Sequence, residues 1–469
     1  MDGTYPTVFN NDTVDGSFGI TSRIYLDQYS MLGFRINSIE VPNSDENLSA
    51  NADHMVTSFS SKSELALNLS TSRKYLTFMG YVAPVNAIDA SNSNTPLVVD
   101  PTNPVGLNYY RAVARLGEDG KFTFTATNAY SGNNGRAAIF NDDVNAFYAA
   151  GNAGNGSIPQ PNGVVLGAGA QWIPYVGTPE IDQDPGMPTP LASFSVTQLG
   201  DTADKVGKDT NFRGLTIFDD VIYYTKGSGS NGVNTVYFVD TTGKACPDGV
   251  GVPAPGARLP TSPIAYNPAL LQTQGVVPYN MCILQGFPTT LAKTSTAFPF
   301  GIWFASPTTL YVADEGDGTA TFSTATGTYA DAAAQSTAGL QKWVFNTTAG
   351  AWQLAYTLQS GLNLGQPYTV RGYPTGENSV TGLPWSPATD GLRNITGRVN
   401  RNGTATIWAI TSTVSGSGDQ GADPNKLVEV TDRLSAIAPG GESFQTVRTA
   451  RFGEVLRGVS LTPGAGFDR

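Results

Sequence analysis

Short runs of aromatic, β-branched and aliphatic residues recur along the chain, each closed by a polar or Gly-containing break. The segment Thr296–Leu358 shows the pattern most plainly, with FPFGIWFAS (298–306), PTTLYVADEGDG (307–318), LQKWVF (340–345) and AWQLAYTL (351–358). Four such runs in succession predict an antiparallel four-stranded meander. Both faces of that sheet are apolar, so it needs a neighbour on each side. No ten-residue window carries an i, i+3, i+4, i+7 apolar stripe, and the predicted class is all-β.

The inner hairpin of this template recurs at 64–81, 135–151, 213–227, 300–314 and 393–411, with a half copy, LRGVSLTP, at 456–463. The breaks within these hairpins (Ser-Thr-Ser, Asn-Asp-Asp, Asp-Asp, Ser-Pro, Asn-Arg-Asn-Gly) suit tight turns. Outer hairpins follow at 109–130, 340–358 and 426–450, while 22–41 is an outer hairpin with no inner one ahead of it. An orphan inner strand at one terminus and orphan outer strands at the other predict a ring closed by a shared sheet, which leaves no exposed edge. In that sheet the C-terminus supplies 457–462, and the N-terminus supplies strands from about Tyr5 and then 22–41. The prediction is therefore a β-propeller spanning residues 1–469 as one domain. It has six blades, or seven if 241–297 holds a further sheet.

The segments SELALNLSTSRKYLTFMGY, AYSGNNGRAAI, TTLYVADEGDG with GLQKWVF, and LRGVSLTP resemble large secreted microbial β-propeller proteins, loosely akin to the NHL and YVTN types. The similarity lies in blade-building motifs. It implies the fold and export, and it implies no particular activity.

Composition narrows the partners. Net charge is −11 with a sequence pI near 4.6, and no Lys/Arg run interrupts the chain, which argues against nucleic acid. No apolar run reaches the roughly 18 residues of a membrane helix, and Met1-Asp2-Gly3 opens no signal peptide. Scarce Lys and Cys with abundant Ser, Thr, Asn and Gly point to an extracellular protein. Cys246 and Cys282, 36 positions apart, would then form a disulfide. Sequons stand at Asn11, Asn47, Asn68, Asn155, Asn346, Asn394 and Asn402, about as many as chance places in such a chain.

Candidate chemistry gathers where the inner strands begin. Arg136, Arg213, Arg393 and Arg457 each start an inner strand, which would aim four guanidinium groups at one mouth of the channel. Such a cluster could hold a carboxylate, sulfate or phosphate. Alternatively, each Arg pairs with a nearby carboxylate (Asp142, Asp143, Asp209, Asp219, Asp220 or Asp390) and locks the blades. Asp314, Glu315 and Asp317 alternate with Gly at the end of an inner hairpin, the residue types that suit calcium, the one cofactor the sequence suggests. The loops 181–186 and 419–423 are weaker versions. His54, the one histidine, is expected at the surface, and the tryptophans are expected mostly to pack between blades, with Trp385, in a loop, the one best placed to stack on a sugar. The functional expectation is a secreted binding or structural module that contacts its ligand or partner (an anionic small molecule, glycan or protein) through its channel-face loops. A hydrolase or lyase acting on an acidic or carbohydrate substrate, and a subunit of an extracellular assembly, are the alternatives.

Overall fold

The structure, a computed structural model, describes residues 10–11, 15–43, 54–59, 61–88, 90–98, 108–152, 169–175, 189–192, 211–228, 232–263 and 280–465. Antiparallel sheets succeed one another along the chain. The first blade pairs Asn68–Leu69, Tyr75–Tyr81, Arg111–Gly117 and Phe122–Thr127 in order. The second pairs Gly135–Asn141, Ala146–Gly151, Ala170–Pro174 and Thr189–Ala192. The third joins Gly214–Phe218, Val221–Lys226, Thr235–Val239 and Met281–Leu284, with Val250–Gly251 added in parallel at its edge. The fourth runs through Pro299–Ser306, Thr309–Asp314, Gly339–Asn346 and Ala351–Leu358. The fifth comprises Ala388–Val399, Thr404–Val414, Lys426–Arg433 and Gln445–Thr449. The only α-helix among the described residues is the single turn Ala330–Ala334.

Alternating side chains on each strand feed two different clefts, so each pair of neighbouring blades shares its own core. Met79 and Val113 of the first blade meet Phe140 and Phe147 of the second. Ile139, Tyr148 and Trp172 then meet Leu215, Tyr224 and Tyr237. Tyr223 and Phe238 of the third blade pack on Phe304, Trp343 and Trp352 of the fourth, and Tyr311 and Tyr356 of the fourth pack on Leu392 and Ile407 of the fifth.

The inner strands follow one another round a ring through equivalent contacts. Ala66 N donates to Arg136 O at 3.1 Å, and Arg136 Nη1 donates to Phe212 O at 2.9 Å. A side chain at Gly214 would strike Phe300 O, and one at Gly301 would strike Arg393 O. Asn394 Nδ2 donates to Arg457 O at 3.0 Å, and a side chain at Gly458 would strike Leu65 O, which returns the circuit to the first blade.

Five blades are complete among the described residues, not the six or seven expected. The sixth place does hold the C-terminal segment and the hairpin Tyr25–Tyr29/Arg35–Glu40, but they form no common sheet. The hairpin pairs only with itself, and residues 456–462 have no strand partner. A cavity of about 1090 Å³ lies between them, walled by Leu76 and Phe78 of the first blade and Trp408 and Ile410 of the fifth. Arg448 of the fifth blade fastens the hairpin through Asp27. The expected strand near Tyr5 lies outside the described residues. Among its described residues the stretch 241–297 holds no seventh blade, and its strands there extend the third.

Two further expectations are corrected. His54 is buried, since its chain neighbour Met55 enters the core formed by Ile24, Val41 and Phe78 and carries the histidine inward. Trp385 is also buried, packed on Val370 and Tyr373 within its own loop cluster, and presents no sugar platform. Cys246 and Cys282 stand at disulfide distance with Cα atoms 5.9 Å apart, as expected.

A buried polar lock joins the fourth and fifth blades. Lys342 Nζ lies 2.9 Å from Asp432 Oδ2, both side chains fully buried. Tyr356 OH donates to Asp432 Oδ1 at 2.6 Å, and Tyr311 OH donates to the other oxygen. Breaking a buried pair leaves an uncompensated charge. Lys342→Met alone is therefore expected to cost about 3–5 kcal/mol in urea unfolding, and restoring neutrality with Asp432→Asn in the same chain should recover part of that loss. Closing a 36-residue loop confers about 3–4 kcal/mol in the chain-entropy account. Cys246→Ser with Cys282→Ser is expected to lower the unfolding midpoint accordingly.

Candidate functional site

The inner strands bring cationic residues to the ring's centre, and the fourth blade supplies the anion they share. Asp314 ends the second strand of that blade, and the chain turns at Gly316, whose φ of +81° favours glycine. Glu315, between them, is held by its backbone: its carbonyl accepts from Ser412 Oγ at 2.6 Å. Gly391 of the fifth blade's inner strand lies against the Asp314–Glu315 backbone, where a Cβ would collide.

Glu315 is surrounded by cations. Its Oε2 lies 3.3 Å from Arg393 Nε and 3.4 Å from Lys62 Nζ, and its Oε1 lies 3.6 Å from Arg213 Nη2. The four groups come from the approach to the first blade and from the third, fourth and fifth blades. Arg213, Arg393 and Glu315 are at least nine-tenths buried, whereas the Lys62 side chain is 32% exposed. Burial alone would raise the Glu315 carboxyl, but Lys62, Arg213 and Arg393 overcome it and hold its pKa at about 2. Burial, with Arg213 and Arg393 as neighbours, pulls the Lys62 amine down to about 8 against the opposing pull of Glu315.

Two of the four expected arginines therefore meet at Glu315. Arg136 is turned to neutral acceptors: Asn134 Oδ1 at 3.1 Å, Phe212 O and Asn211 Oδ1. Burial and the nearby Arg213 lower its pKa well below the usual guanidinium value. Arg457 donates to Gly421 O at 3.1 Å and to Phe59 O, and burial lowers it to about 10.

The carboxylates expected to bind calcium are occupied individually. Asp314 accepts the amides of Phe298 at 2.8 Å and Gly316 at 3.0 Å, and burial raises it to about 6. Asp317 accepts the amide of Thr319 at 2.8 Å and Gln335 Nε2 at 3.2 Å. Among the described residues, Asp240, Cys246 and Cys282 form the one group of three possible ligand atoms within 4.8 Å of one another, and its sulfurs are already at disulfide distance. The loop 181–186 lies outside the described residues. In the loop 419–423, Asp423 accepts Tyr373 OH at 2.7 Å and Ser415 Oγ at 2.8 Å.

Of the Asp residues expected as alternative partners, Asp209 lies outside the described residues, and Asp142 accepts the Ser72 amide at 3.1 Å. Asp390 accepts the Gly318 amide at 2.9 Å and Gln335 Nε2 at 2.7 Å, and burial raises it to about 7. Sequence reasoning missed Lys62. The signal available was a lone lysine in Ser61-Lys62-Ser63, just ahead of an inner strand, as Arg213 stands ahead of its own.

Successive antiparallel four-stranded sheets round a central ring define this chain as a β-propeller. No family model matches the sequence, and no curated protein is similar to it. Among solved structures, a crystal structure of a protein from Lactobacillus plantarum is similar at 10% identity and a TM-score of 0.31, over 92% of this chain and 83% of that one. The fold assignment rests on the strand pairing.

Glu315→Gln keeps the shape but strands three cations, and it is expected to cost about 3–5 kcal/mol in urea unfolding. The pKa of Glu315 is lowered on folding, so its contribution is fully present above the ordinary value of 4.5 and is lost as pH falls towards about 2. The raised Asp314 and Asp390 act in the opposite sense, their contribution fading as pH rises through about 6 and 7. The stability gap between wild type and variant should therefore be full at pH 6 and shrink between pH 4 and 2, as followed by unfolding across that range.

Proposed function

We propose that this chain is an exported β-propeller that works as a binding module, engaging an anionic small molecule, glycan or protein at the channel face around Glu315. The observation that carries this reading is the partly exposed Lys62 above two buried guanidinium groups. Three cations there share one carboxylate, within a protein whose net charge is −11. A locally positive mouth on an acidic body draws anionic ligands to one place and disfavours them elsewhere. The cysteine pair at disulfide distance supports export, since such bonds persist in oxidising compartments.

Purified protein should be screened by thermal unfolding against galacturonate and glucuronate oligomers, citrate and small carboxylates, with the same mixtures assayed for turnover. A binding module should show a raised midpoint, by about 2 °C or more for at least one compound at saturating concentration, with that compound recovered intact. Catalysed cleavage of any of them would replace this reading with the hydrolase or lyase alternative.

A further inference from the structure

The arrangement at Glu315 is unbalanced in hydrogen bonding. Lys62, Arg213 and Arg393 contact one carboxylate, with Asp314 and Asp390 nearby and raised by burial to about 6 and 7. Arg213 Nε and Arg393 Nη2 have no hydrogen-bond partner among the described residues, although both side chains are more than nine-tenths buried. A buried donor without an acceptor costs about 1–3 kcal/mol, and more when charged. The carboxylates that could supply acceptors are committed elsewhere, Asp314 to the amides of Phe298 and Gly316 and Asp390 to Gly318 and Gln335.

We propose that this cluster is the binding site of a divalent oxyanion with the charge and shape of sulfate or phosphate, held by Lys62 and the free N–H groups of Arg213 and Arg393. The inference rests on the reading of the channel face as the binding face and adds the ligand class. A dianion supplies the acceptors that Arg213 Nε and Arg393 Nη2 lack. Adjacent oxygens on a compact oxyanion suit guanidinium donors, which bond anions more strongly than neutral acceptors do. Glu315 remains in place and keeps the arginines oriented. Lys62, the exposed member, turns from Glu315 to the entering anion. Its amine, with a pKa near 8, faces Glu315, Arg213 and Arg393 and lies within electrostatic reach of Asp390. Binding therefore weakens as pH rises through 8.

The test is calorimetric titration of the full chain with sodium sulfate and sodium phosphate at low ionic strength, with sodium chloride at matched ionic strength as the control. Saturable binding of sulfate or phosphate is expected, at least about tenfold tighter than any effect of chloride. Lys62→Ala should weaken it by about tenfold or more with an unchanged far-UV spectrum, and Lys62→Arg should restore most of it. Three results would overturn the proposal: no saturation by about 10 mM, chloride acting as strongly, or affinity unchanged in folded Lys62→Ala. If one of those three results is found while a compound from the acidic panel still binds wild type, the binding-module reading stands and only this site is removed.

Discussion

One carboxylate at the centre of a ring of cations is the constraint on which this propeller depends. Glu315 is charged, buried and reached from several sectors at once, so the inner strands cannot drift apart without exposing like charges to one another. Taking such an ion from water costs several kcal/mol, and only close, multiple pairing repays it. The surroundings are built to allow that pairing: Gly391 admits the fifth blade to the Glu315 backbone, and Ser412 fixes its carbonyl. The same arrangement sets three cations on one carboxylate, the feature on which the proposed binding role rests.

Around this centre the blades are held by two other means. Aromatic and aliphatic side chains fill the clefts between neighbours, and the Lys342–Asp432 pair adds a directional lock within one of them. The sixth place is built differently. Its inner segment completes the circuit of close backbone contacts through Arg457 and Gly458, while the hairpin is tied by Arg448 to Asp27. Ring closure at the inner layer thus precedes, in the architecture, completion of a sheet at the rim.

Much of the fold was legible because its signals are local. Alternating apolar runs and Asn/Asp/Gly turns marked the hairpins at 64–81, 135–151, 213–227, 300–314 and 393–411, and each became strand pairs of a separate blade. The count of blades was less legible, since a blade shared between termini depends on long-range pairing that no local pattern encodes. The site was half legible. The sequence named Arg213 and Arg393 from their places at or near inner strands, although Arg393 falls in the middle of Ala388–Val399, and nothing in the sequence says which carboxylate meets them. The Gly-rich setting of Glu315 suggested a cation loop. Its neighbours are indeed cations, though they are side chains of this chain. His54 and Trp385 misled because polar and Pro-rich loops can fold beneath the surface.

The central claim is that Glu315 is the shared counter-ion of Arg213 and Arg393. A double-mutant cycle measures it most directly, using urea unfolding of Glu315→Gln, Arg213→Met, Arg393→Met and their combinations at pH 7. The account predicts coupling of about 1–3 kcal/mol between Glu315 and each arginine, with the triple variant less destabilised than the single losses add up to. Additivity within about 0.5 kcal/mol for both pairs would contradict it.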